Sequence, residues 1–68
     1  MREVVLYKGQ DECWVVECPS LPGCISQGKT KAEAIANIRE AIEGWIEVAG
    51  ARGQPVPEET FDVQVVAV

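Results

Sequence analysis

Residues 30–49 read Thr-Lys-Ala-Glu-Ala-Ile-Ala-Asn-Ile-Arg-Glu-Ala-Ile-Glu-Gly-Trp-Ile-Glu-Val-Ala, and this stretch decides the fold. Thr30 and Glu33 form a capping box, in which the hydroxyl accepts from an orphan backbone N–H at a helix start and the carboxylate reaches back. Behind it Ala34, Ile35, Ile38, Ala41, Ile42, Trp45, Ile46 and Ala49 recur at three- and four-residue spacing. Lys31, Glu33, Asn37, Glu40, Glu43 and Glu47 fall largely between them. The spacing predicts one amphipathic helix with a broad apolar face, stopped by Gly50, Gly53, Pro55 and Pro57. Thr30 and Glu33 are its expected cap, and Ile38, Ile42 and Trp45 its expected buried anchors.

Upstream of the helix the periodicity changes. Val4-Val5-Leu6-Tyr7 is a β-branched and aromatic run that ends in turn chemistry at Lys8-Gly9-Gln10-Asp11. Trp14-Val15-Val16-Glu17 resumes the strand pattern until Pro19, which has no N–H to give a ladder. Pro19-Ser20-Leu21-Pro22-Gly23 then reads as a rigid loop and Cys24-Ile25-Ser26-Gln27 as a short third strand. Downstream, Phe61-Asp62-Val63-Gln64-Val65 alternates with period two before Val66-Ala67-Val68, which predicts a fourth strand. The expected class is α+β in the order β-β-β-α-β, a single helix packed on one face of a four-stranded mixed sheet. The helix serves as the crossover that brings strand four parallel to strand one.

One helix covers one face of such a sheet. Neighbours such as Val4/Val5, Leu6/Tyr7, Trp14/Val15 and Val65/Val66 nevertheless place apolar side chains on both faces. The uncovered face therefore requires a second copy or another protein, because monomeric proteins rarely leave such a patch in water. A dimer or tetramer of the chain is one expectation, and a different protein partner is the other.

Composition bounds the rest. The 68 residues form one expected domain over 1–68, since independent domains run ~50 to 200 residues. A hydrophobic content of 47% is that of a folding chain. Six Lys and Arg against eleven Asp and Glu give a net charge of −5, which favours basic partners and disfavours direct nucleic-acid binding. Cys13, Cys18 and Cys24 lack C-x-x-C spacing and histidine is absent, so neither a zinc site nor a disulfide framework is expected. Reduced cysteines, no apolar run near ~20 residues and no signal-peptide core at Met1-Arg2-Glu3 lead to the expectation of a cytoplasmic, non-membrane protein.

Gly23-Cys24-Ile25-Ser26-Gln27-Gly28-Lys29-Thr30 matches the phosphate-loop pattern G-x-x-x-x-G-K-[ST]. That chemistry needs a loop running from a buried parallel strand into a helix, whereas the interior of this match reads as a strand preceded by a proline loop. We read the match as coincidental and expect no cofactor. Glu3, Glu12, Glu17 and Asp62 are scattered strand-end acids rather than a metal cluster, and Cys24 or Ser26 has no histidine to act as base. No catalytic or metal-binding residue is assigned, and no enzymatic activity is expected.

Taken in order, several motifs resemble those of the HicB-like antitoxin family. They are Trp14-Val15-Val16, Pro19-x-Leu21-Pro22-Gly23-Cys24, Ser26-x-Gly28-x-Thr30-x-x-Glu33-Ala34, Asn37-x-x-Glu40-Ala41-Ile42 and Gly53-x-Pro55-Val56-Pro57. The resemblance spans residues 4 to 65 and implies a partial ribonuclease-H-like fold. It also implies a role: neutralising a small basic HicA-like toxin that degrades mRNA, by covering its active surface. An orphan self-associating module without a toxin partner is the alternative. The chain departs from the family where Ser20 replaces a usual acid and Lys29 a frequent Asp. Ending at Val68, it is also not expected to carry the family's C-terminal DNA-binding domain. The candidate interface comprises Tyr7, Trp14, Ser20, Leu21, Pro22 and Gly23.

Overall fold

The computed structural model describes residues 2–59 and 63–68. Three strands, β1 (Val5–Lys8), β2 (Trp14–Glu17) and β3 (Ile25–Gly28), precede one helix, α1 (Lys31–Ala51). The strands form an antiparallel meander in the order β1-β2-β3. Its register pairs Val5 with Glu17 and Tyr7 with Val15, and then Val15 with Gln27 and Glu17 with Ile25. The chain reverses between β1 and β2 by donating the Gly9 N–H to the Cys13 carbonyl at 2.7 Å, with Glu12 at a φ of 59°.

The cap predicted from Thr30 is present. Its backbone is extended, and its hydroxyl accepts from the Glu33 N–H at 3.1 Å, the hydroxyl half of the capping box. At the other end Gly53 takes a φ of 68°, the left-handed residue that lets Gln54 N–H turn back to the Ala49 carbonyl at 2.8 Å. The helix thus runs through Gly50, one of its expected stops, and ends just before Gly53.

α1 lies over β2 and β3. Val16, Cys18, Leu21, Cys24, Ala34 and Ile38 are buried between the layers, and Val4, Leu6, Trp14, Ile35, Ala41, Ile42, Trp45 and Val56 pack around them. Each fully buried Leu or Ile contributes roughly 1.5–3 kcal/mol relative to exposure. Close approach of helix and sheet depends on Gly28 at the end of β3. A Cβ there would stand 2.5 Å from the Ala34 nitrogen and 2.8 Å from the Glu33 carbonyl carbon, both backbone atoms. Only a residue without a side chain lets the first turn of the helix sit on the strand.

The fourth strand is where the architecture departs from expectation. Phe61 and Asp62 lie outside the described residues, and residues 63–68 are in no strand. Among the described residues the sheet has three strands, all antiparallel, and the outer edge of β1 carries no partner. The alternation of Val63, Gln64 and Val65 records a capacity to pair, and pairing needs an edge brought alongside. Just before β1 the Glu59 carboxylate accepts from the Glu3 N–H, which brings the chain after the helix to the entrance of that strand.

Candidate protein-binding surface

Side chains alternate across a sheet, so the packing of Val4, Leu6, Trp14 and Val16 against the helix layer places Val5, Tyr7, Val15, Glu17, Ile25 and Gln27 on the opposite face. Nothing described covers that face: Tyr7 is 47% and Ile25 54% exposed. Glu17 sits in the centre strand, flanked across the register by Val5 and Ile25. The result is an apolar layer with one carboxylate in its middle, in a chain of net charge −5. Such a surface suits a partner that offers apolar contacts around a cation.

The sequence-derived candidates separate on this geometry. Tyr7 lies on the open face. Trp14 lies on the helix side, partly buried, with the Lys31 ammonium 4.7 Å and the Lys8 ammonium 5.9 Å from its ring centroid. Ser20 and Leu21 point inward, 5% and 1% exposed. The Ser20 hydroxyl accepts from the Arg2 guanidinium at 3.1 Å and lies 3.6 Å from the Cys18 sulfur. Pro22 and Gly23 are exposed at the loop tip. There Gly23 lines a shallow groove with Ile25, Gly44, Trp45, Val48 and Arg52. Ile25 therefore joins the loop groove to the open sheet face.

Two hydrogen bonds hold this rim in place. The Trp45 indole N–H donates to the Pro22 carbonyl at 3.0 Å, and the Asn37 amide donates to the Gln27 carbonyl at 2.7 Å. The loop is further tightened by Leu21 N–H to Cys18 carbonyl at 3.1 Å and Cys24 N–H to Leu21 carbonyl at 3.0 Å. Val5, Val15, Glu17 and Ile25 were not singled out as interface residues by the sequence. The signal that would have found them is strand register, which alternation alone leaves undetermined by one residue.

Cys18 and Cys24, which flank the loop between β2 and β3, are free and buried. Burial pushes the Cys24 thiol above its ordinary pKa, with the neighbouring Cys18 adding to the effect, so it is a poor nucleophile. Among the described residues no cluster of three or more acids, cysteines or histidines is placed to hold a metal, and no helix is long and apolar enough to cross a membrane. Gly28, Lys29 and Thr30 stand between an antiparallel strand and the helix, which is not the strand-to-helix loop that cradles a phosphate.

The sequence profile described as "HicB_like antitoxin of bacterial toxin-antitoxin system" matches residues 3–67, nearly the whole chain. The chain belongs to the HicB-like antitoxin family. A UPF0150 protein of Thermoplasma acidophilum is 45% identical over 59 residues, covering 87% of this chain and 86% of its own length. One of Synechocystis is 48% identical over 65 residues, covering 96% and 82%. The crystal structure of the N-terminal domain of the Burkholderia pseudomallei antitoxin HicB is similar, with a TM-score of 0.69 and 31% identity over 96% of this chain and 68% of that one. This HicB-like chain shares with that domain an α+β arrangement of an antiparallel meander and one helix.

Proposed function

We propose that this HicB-like protein is an antitoxin that binds and neutralises a basic, HicA-like, mRNA-degrading toxin through protein–protein contact in the cytoplasm. The observation that carries the reading is the open sheet face, where Tyr7 and Ile25 are exposed around Glu17. An acidic protein attracts a basic one over distance, which speeds encounter and rejects wrong partners, while the apolar side chains contribute affinity on contact. The pairing requires no chemistry from the antitoxin, so it acts by coverage and not by catalysis. Family membership supports this role.

Calorimetry with the small basic protein encoded beside this one is the test. Binding at or below micromolar Kd is expected, weakened at least tenfold in a Tyr7→Asp/Ile25→Asp variant and by raised salt. Absence of binding to that neighbour removes the antitoxin reading and leaves the chain an orphan interaction module.

A further inference from the structure

A second surface stands apart from the open face. α1 covers β2 and β3, so the side of β1 facing the helix layer opens into a groove between Val4 and the helix residues Ile35, Ile38 and Ile42, with Arg2 and Arg39 at its margins. The outer edge of β1 borders this groove and has no partner among the described residues. The molecule thus presents both parts of a strand acceptor: a row of free backbone groups and an apolar trough beside it.

The same chain carries a matching donor. Val63-Gln64-Val65-Val66-Ala67-Val68 is β-branched at four of six positions and in no strand. Val65 is 97% exposed and Val66 68%, while Val63 and Val68 are exposed as well. The radius of gyration, 12.8 Å, exceeds the roughly 11 Å that a compact chain of this length has. The segment pairs with no described strand of its own copy, although the Glu59 carboxylate tethers the chain at the entrance to β1.

We infer that the β1 edge and its groove receive the 63–68 segment of a second copy, and that two copies exchange these segments reciprocally. In the added strand, Val63 and Val65 face the groove, and Gln64, Val66 and Val68 lie on the other face beside Val5 and Tyr7. The exchange satisfies acceptor and donor in both copies under one two-fold axis, which closes the assembly at two. It leaves Ile25, on β3 at the far edge of the sheet, uncovered, so a substitution there separates it from toxin binding.

Light scattering on size-exclusion eluate of the full chain tests it, with circular dichroism to verify folding. The intact chain is expected to elute as a dimer at micromolar concentration. Val63→Asp/Val65→Asp, at exposed positions, is expected to elute as a folded monomer. Ile25→Asp, on the far edge strand, is expected to remain dimeric. A monomeric intact chain overturns the inference, because the segment then has no second copy to enter. A dimer that survives Val63→Asp/Val65→Asp, or one lost in Ile25→Asp, also overturns it by moving the contact elsewhere.

Discussion

Gly28 shows how much one missing side chain decides. The residue lies opposite Trp14 in the register, at the point where β3 gives way to the helix. Because the atoms a Cβ would strike are backbone, no side-chain rotation relieves the clash, and the helix start must move. Gly28→Ala is expected to lower stability by about 1–3 kcal/mol, measured by urea denaturation, with loss of the Asn37 to Gln27 bond as the first turn lifts. Gly44, half-way along the helix, has nothing within 4 Å of an added Cβ. Gly44→Ala should leave stability unchanged or raise it by up to ~1 kcal/mol, which makes it the control. In the sequence Gly28 stands out only within the G-x-x-x-x-G-K-[ST] match and the family motif. Its closer duty was illegible because it depends on a contact with the backbone of residues 33 and 34, which no property of Gly28 announces.

At the scale of elements, the helix was the most legible part. Its apolar spacing runs through five turns and is bracketed by a polar cap and a glycine stop, so several independent signals agree. Thr30→Ala removes the hydroxyl that accepts from Glu33 and is expected to cost ~1 kcal/mol, seen as a lower thermal midpoint with unchanged helix content. The three short strands were legible for a similar reason, a change of period bounded by Gly and Pro. Face assignment was less so. Trp14 and Val15 are equally apolar, and only the pairing of Trp14 with Gly28 and Lys8 places the indole on the helix side under two ammonium groups. Residues 63–68 mark the limit of pattern reading, since alternating valines look the same whether or not an edge lies beside them. Of the residues proposed for the interface, Tyr7, Pro22 and Gly23 are accessible, whereas Ser20 and Leu21 are turned inward to hold the loop.

For the whole molecule, a chain of 68 residues has a thin margin between core burial and conformational entropy, so surfaces left open matter to its survival as well as to its role. The unpartnered edge of β1 has a cost whenever a copy is alone: it can seed runaway stacking of like chains into cross-β fibres. A net charge of −5 opposes such stacking by mutual repulsion. That repulsion is lost at the isoelectric point near pH 4.5. Thioflavin fluorescence should therefore rise on acidification to that pH and stay flat at neutrality. Lys8 already ends β1, and a Pro placed within that strand would strengthen the gatekeeping against this route to amyloid.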